Sequence, residues 1–205
     1  MRQLVIATKN KKKLRELRRY LRGIKAEVIS LAEFPKKPRI VENGKTFKDN
    51  AVKKALIVSR FTHGGFSIAD DSGLVVRALN GAPGIKSARF AGPGKRDIDN
   101  NAKLLNLLEG FDRSQRQAKF VCAIAIADGG KIVKVIEESC KGIIASTAKG
   151  HHGFGYDPLF FIPKYGKTFG QLGLKVKDRM SHRSKALKKA RKFLREYLSG
   201  SSAAG

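Results

Sequence analysis

A chain of 205 residues with 41% hydrophobic content, 12 Phe and no Trp is long enough to bury a sizeable core. No apolar run approaches the ~20 residues of a membrane span, and the N-terminal apolar stretch around Leu4-Val5-Ile6-Ala7 is too short for a signal peptide. Forty-three Lys and Arg against 17 Asp and Glu give a net charge of +26, a field that attracts polyanions without sequence preference.

Leu4 to Thr8 reads as a buried strand. Lys11 to Leu21 reads as a helix with Leu14, Leu17 and Leu21 on one stripe and Asn10 as its N-cap. Val28 to Leu31 is a second strand, followed by a Pro- and Lys-containing loop from Pro35 to Pro38. Thr46-Phe47-Lys48-Asp49 opens a helix with a capping-box pattern, and Ala51, Ala55 and Val58 continue its apolar face. Phe66 to Ala69 is an apolar strand expected to end at Asp70-Asp71-Ser72-Gly73, which would carry both carboxylates into a loop at the sheet's edge. Leu74 to Leu79 is then a separate short strand, Gly81 to Gly84 a turn, and Ile98 to Leu108 a Leu-rich helix. Lys119 to Ala127 and Lys131 to Ile136 form an antiparallel hairpin about Asp128-Gly129-Gly130, and Gly142 to Ser146 continues its second arm.

The Gly-rich loop His151 to Pro158 precedes a short strand, Leu159 to Ile162. Lys185 to Leu198 closes the chain as an amphipathic helix with Ser184 as N-cap. Ser199 to Gly205 is a small, polar tail, expected to be disordered or appended. Residues 1–198 therefore read as one domain, with a mixed order of strands and helices that argues an α/β fold. Cys122 and Cys140 lie in strand-like segments and read as buried free thiols, which points to a reducing, cytoplasmic setting. The basic residues are spread along the chain without an RNP-like, zinc-finger or helix-turn-helix signature, so only non-specific nucleic-acid binding is expected from them.

Four polar clusters fall where strands or loops meet helices. Thr8-x-Asn10-x-x-Lys13 opens the first helix, where free N–H groups and a Lys would suit a phosphate, although the Gly-x4-Gly-Lys pattern of a P-loop is absent. Glu42-x-Gly44-x-Thr46-Phe47-x-x-Asn50 supplies a carboxylate ahead of the second helix, with Lys54 further along it. Asp70-Asp71-Ser72 adds two more carboxylates, the hard oxygen donors that a cation such as Mg²⁺ takes. Gly153-Phe154-Gly155-Tyr156-Asp157, with Lys177 and Ser181-His182-Arg183, brings aromatic rings and cations. Singly, each has an ordinary structural role: a cap, a solvated lysine, a core aromatic. Together they form what a nucleoside-triphosphate hydrolase needs.

On these blocks, joined by Gly81-Ala82-Pro83-Gly84-x-x-Ser87-Ala88-Arg89, the chain resembles the inosine triphosphate pyrophosphatase family, also called dITP/XTP pyrophosphatases, from about Leu4 to Leu198. The resemblance implies a long mixed central sheet flanked by helices, two lobes around an active-site cleft, and a homodimer. It implies Mg²⁺-dependent cleavage of ITP, dITP and XTP to the monophosphate and pyrophosphate, which clears damaged nucleotides from the pool. It assigns Asp71 as general base and metal-linked carboxylate, with Glu42 as the other metal ligand and Asp70 and Lys13 in the catalytic set. Thr8, Asn10, Lys13, Lys54, Ser72 and Lys177 would hold the triphosphate. Phe154 would stack on the base, with Gly155, Tyr156, Asp157, His182 and Arg183 shaping its pocket.

Four positions depart from the family pattern. Gln171 stands for a usual Glu, Arg77 for Asp, Lys141 for Glu, and Lys12 for Gly in the first phosphate loop. All four move charge in the positive direction, as expected of an engineered, positively charged variant or of a naturally basic homologue. Lys12 is expected to narrow the phosphate loop and Gln171 to lose a carboxylate, lowering the rate. The competing reading is a catalytically weakened, highly basic scaffold of the same fold that binds nucleic acid or serves in a designed assembly.

Overall fold

The computed structural model describes residues 2–8, 10–94 and 96–200. Among the described residues seven strands and five α-helices follow one another: β1 (Gln3–Ile6), α1 (Lys11–Tyr20), β2 (Glu27–Ser30), α2 (Phe47–Phe61), β3 (Phe66–Val76), α3 (Asp97–Leu107), β4 (Gln117–Asp128), β5 (Lys131–Ile144), β6 (Phe160–Ile162), β7 (Lys167–Thr168), α4 (Leu174–Met180) and α5 (His182–Gly200). The strands form one mixed sheet in the order β2-β1-β3-β4-β5-β6-β7. β1 pairs in parallel with β2 and β3, while β6 pairs antiparallel with β5 and β7. The fold class is therefore the expected α/β arrangement, a mixed sheet with both parallel and antiparallel pairing.

The chain divides into two compact units. The first comprises residues 1–71, 123–137 and 186–205, the second 72–122 and 138–185. β3, β4 and β5 each contribute residues to both.

In the first unit the parallel strands carry near-continuous apolar runs, as strands covered on both faces do. Leu4, Val5, Ile6, Phe66 and Ile68 are buried, together with Leu17 of α1, Ala51, Ala55 and Val58 of α2, and Leu194 of α5. The capping box of α2 forms as expected: Asp49 N–H donates to Thr46 Oγ1 at 3.0 Å, and Thr46 N–H donates to Asp49 Oδ2 at 3.0 Å. The turn between β4 and β5 is Gly129-Gly130, both at positive φ, the geometry a two-residue hairpin requires.

The second unit closes around Leu74, Leu104, Phe120, Tyr156, Phe160 and Phe169. Phe120 lies 4.5 Å from Phe160, ring centre to ring centre, and Phe160 lies 5.2 Å from Phe169. Cys122 and Cys140 are both buried and free.

Three expectations are corrected. β3 runs unbroken through Asp70-Asp71-Ser72-Gly73 to Val76, so the carboxylates sit inside a strand flanked by β1 and β4 rather than in an edge loop. Turn-forming residue types yield here to strand pairing on either side. α5 begins at His182, because Ser181 rather than Ser184 caps it: Ser184 N–H donates to Ser181 Oγ at 3.2 Å. α5 also continues through Ser199 and Gly200, and the rest of the expected tail, 201–205, lies outside the described residues.

Candidate active site

The first unit gathers Glu42, Asn50, Lys54 and Lys13 around Asp70 and Asp71, at the middle of β3. Lys13 Nζ pairs with Asp70 Oδ2 at 2.9 Å, with the carboxylate almost wholly buried. Lys54 Nζ lies 3.3 Å from Glu42 Oε2 and 3.6 Å from Asp71 Oδ1, so one buried ammonium stands between two carboxylates. Asp71, 7% exposed, accepts a hydrogen bond from Asn50 Nδ2 at 3.1 Å. Burial pushes the Asp71 carboxyl above the usual carboxylate range, and Glu42 adds to this. Lys54, Lys13 and the Asn50 hydrogen bond pull the other way.

Asn50 reaches further. Its Oδ1 accepts from Gly44 N–H at 2.8 Å, tying the loop that bears Glu42 to the same side chain that touches Asp71. A Cβ at position 44 would lie 2.7 Å from Asp49 Cβ and 2.8 Å from Asn50 Oδ1, which explains glycine there.

The expected phosphate loop is built differently. Thr8 Oγ1 accepts from Asn10 N–H at 3.2 Å, and Asn10 Oδ1 accepts from Lys12 N–H at 2.9 Å and Lys13 N–H at 3.1 Å. The amides expected to be free at this helix end are thus satisfied by the cap. Lys12 is an exposed residue of the helical first turn and needs no positive φ.

The second unit holds the aromatic and cationic set. Asp157, 4% exposed, accepts from Phe154 N–H at 2.8 Å and from Lys177 Nζ at 2.6 Å. Burial raises the Asp157 carboxyl, while Lys177 and the Phe154 amide oppose the rise. Gly153 has φ +84°, and a Cβ there would meet Asp157 Oδ2 at 2.0 Å, so no other residue fits this turn. The Arg183 guanidinium lies 5.3 Å from the Phe154 ring centre and donates through Nη2 to Ser72 Oγ at 2.7 Å. His182 stacks on Phe120 at 4.7 Å with the rings 14° from parallel.

Lys177 and Ser72, expected among the triphosphate ligands, thus make their contacts in this aromatic set. The buried Tyr156 hydroxyl donates to Ser87 O at 2.8 Å, and burial lifts its pKa well above the usual range. Gln171 accepts from Thr168 N–H at 3.1 Å through Oε1. An amide meets that need as well as a carboxylate would. Arg77 donates to Gln117 Oε1 at 3.1 Å, and Lys141 is exposed.

Asn50 is the residue whose role sequence reasoning passed over. It stands within the Glu42-x-Gly44-x-Thr46-Phe47-x-x-Asn50 block, but a neutral amide carries no charge to single it out. Away from both clusters, a cavity of about 620 Å³ in the first unit is lined by Arg2, Phe34, Phe61 and His63 among others, and includes none of the candidate site residues.

The mixed sheet, with buried carboxylates set against lysine ammonium groups, is that of an α/β enzyme acting on phosphorylated substrates. The chain belongs to the Ham1 family, whose model matches residues 4–193. It is 52% identical over 192 residues to a dITP/XTP pyrophosphatase of Desulforamulus reducens, covering 94% of this chain and 95% of that one. It is 47% identical over 200 residues to a dITP/XTP pyrophosphatase of Geobacillus kaustophilus, covering 98% of each. Among solved structures, a HAM1 protein from Coxiella burnetii superposes with a TM-score of 0.88 at 37% identity, over 96% of this chain and 100% of that chain.

Proposed function

We infer that this protein hydrolyses non-standard purine nucleoside triphosphates of the dITP and XTP type to the monophosphate and pyrophosphate. The observation that carries the reading is Asp71: a buried carboxylate of raised pKa, oriented by Asn50 and facing Lys54, in a chain 52% identical to a protein of that name. A base whose pKa is lifted toward neutrality accepts a proton from water more readily than an exposed aspartate does. Asp71 is accordingly the general base.

A divalent cation, Mg²⁺ in this reading, fits the residues present. Asp71 and Glu42 are hard oxygen donors that already share one cation, the Lys54 ammonium, at 3.6 and 3.3 Å. Among the described residues no group of three or more His, Cys, Asp and Glu converges. Mg²⁺ is commonly held by one or two carboxylates, with water and substrate oxygens completing its shell, and Asp71 and Glu42 would be those carboxylates here. When bound, the ion would neutralise phosphate charge and lower the pKa of an attached water.

The remaining roles fall to side chains. Lys13 and Lys54 stabilise negative charge on the phosphoryl oxygens, where electrostatic stabilisation does most of the work. Thr8 and Asn10 shape the loop that leads into α1, and Asp70 sets the position of the Lys13 ammonium. Phe154 offers its ring to the purine, flanked by the Arg183 and Lys177 cations. His182 and Arg183 supply donors for the 6-keto oxygen of hypoxanthine or xanthine. Adenine, with an amino group there, would leave such a donor unpaired, and sites of this kind reject the wrong partner strongly. Residues 1–198 act as one two-lobed domain in this reading.

The test is pyrophosphate release from ITP and ATP, with Mg²⁺ and with EDTA, beside an Asp71→Asn variant. Release from ITP that far exceeds release from ATP, and that disappears with EDTA or in the variant, is the expected result. Release that survives Asp71→Asn would overturn the assignment of the base.

A further inference from the structure

The loop that bears Phe154 is gripped from outside by one helix. Asp97 and Asn101 lie four residues apart on α3 and so share a face. Asp97 Oδ2 accepts from Gly155 N–H at 2.8 Å, and Asn101 Nδ2 donates to Gly155 O at 3.2 Å. Both polar groups of a single backbone residue, at φ +64°, therefore go to two side chains of α3. That helix is itself anchored. The Asn100 side chain, 3% exposed, accepts from Ala91 N–H at 2.7 Å, and Leu104 is buried in the second core.

On either side of Gly155, Phe154 N–H goes to Asp157 and the Tyr156 hydroxyl to Ser87 O. The loop's inner contacts hold its ends to the core, whereas the Asp97–Asn101 pair sets the tilt of the two peptide units flanking Gly155, the first of which joins it to Phe154. A carboxylate acceptor and an amide donor facing one residue also fix the peptide's polarity, because a flipped peptide would set its carbonyl against the Asp97 carboxylate.

We propose that Asp97 and Asn101 are positioning residues for the purine site, holding the Phe154-Gly155 backbone so that the Phe154 ring meets the base at a fixed angle. This rests on the reading of Phe154 as the base-stacking residue. Neither side chain is placed among the catalytic carboxylates, so the pair acts on base recognition and not on proton transfer. Base binding is made equally in ground and transition states, and its loss raises KM while kcat holds.

The experiment measures KM and kcat for ITP in Asp97→Ala, Asp97→Asn, Asn101→Ala and Asn101→Asp, with Phe154→Ala as reference and amide hydrogen exchange at Gly155 in each. Asn101→Asp keeps the side chain's size while removing the donor, and serves if alanine impairs folding. The expected result is a KM raised at least fivefold in Asp97→Ala and in both Asn101 variants, with kcat within twofold. Asp97→Asn, which keeps an acceptor oxygen, should restore most of the loss, and Gly155 exchange should quicken only where KM rises. If Phe154→Ala raises KM and the clamp variants do not, the proposal is overturned while the function stands. If Phe154→Ala leaves KM unchanged, the base-stacking reading falls and the proposal with it. A fall in kcat at constant KM would also overturn it.

Discussion

Asn50 joins Asp71 to the Glu42 loop: its amide nitrogen lies 3.1 Å from Asp71 Oδ2, and its carbonyl oxygen accepts from Gly44 N–H at 2.8 Å. At 1% exposure it has no water to replace either partner. Asn50→Ala leaves a backbone donor and a carboxylate oxygen without that amide in a buried place. The expected cost is about 1–3 kcal/mol of stability, read by urea unfolding. Activity should fall further than stability explains, since Asp71 loses its orientation. Normal kcat in a destabilised Asn50→Ala protein would show that Asn50 is only structural.

Asp71 exposes a conflict between stability and catalysis. Because burial raises its pKa in the folded chain, its ionised form at neutral pH costs folding free energy, and the cost disappears when the charge does. Asp71→Asn is expected to melt at the same temperature as the wild type or higher, while its pyrophosphate release falls by about 10²–10⁴-fold, as loss of a general base requires. Calorimetry and a release assay on the same preparation check both halves. A variant that is inactive because it is unfolded would count against this account.

Asp157 gives a pH dependence of defined sign. Its carboxyl is raised from the ordinary value of 3.8 by burial, so the folded chain holds this proton more tightly than the unfolded one. Below the ordinary value both states are protonated and the favourable contribution is fully present. As pH rises through the raised folded value, that contribution is lost. Stability should therefore decline from acid toward neutral pH on account of this group. The comparison is between wild type and Asp157→Asn, unfolded in urea over roughly pH 4 to 7. The variant's stability should fall less steeply across that window, with an overall offset from the Lys177 ammonium, which loses its partner at 2.6 Å. Parallel curves would mean that Asp157 does not titrate in this range.

Much of this arrangement was legible in the residues themselves, and the exceptions share a cause. α1, α2 and the β4–β5 hairpin follow from Leu14-Leu17-Leu21 spacing, from Thr46 and Asp49, and from Gly129-Gly130, all local signals. β3 defeated local reading because Asp70, Asp71, Ser72 and Gly73 are turn formers whose polar groups find partners only after the chain has folded: Lys13 for Asp70, Asn50 and Lys54 for Asp71, Arg183 for Ser72. The two-residue β7 and the seven-residue α4 were missed because neither is long enough to show a period. The residue types of the site were legible, but their partners were not. Among 43 basic residues nothing local marks Lys54 as the one buried between two carboxylates, or Lys177 as the partner of Asp157.

The net charge of +26 makes a separate prediction about polyanions. Lys11, Lys12, Arg15 and Arg18 of α1 are exposed, as are Lys188, Lys189, Lys192 and Arg195 of α5. The Arg191 guanidinium donates to Arg22 O at 3.2 Å, bringing the C-terminal end of α1 against α5 within the first unit. Two helices with exposed basic residues offer several phosphate contacts, whatever the base sequence. Binding to a single-stranded RNA homopolymer should weaken linearly with the logarithm of salt concentration, by about 0.7 log units per decade for each phosphate neutralised. Substituting Lys188, Lys189 and Lys192 together by Gln should reduce that slope by up to about 2 and leave kcat for ITP at wild-type level, since none of the three belongs to either cluster. Fluorescence anisotropy over a salt series reads the slope. An unchanged slope would remove α5 from the contact surface.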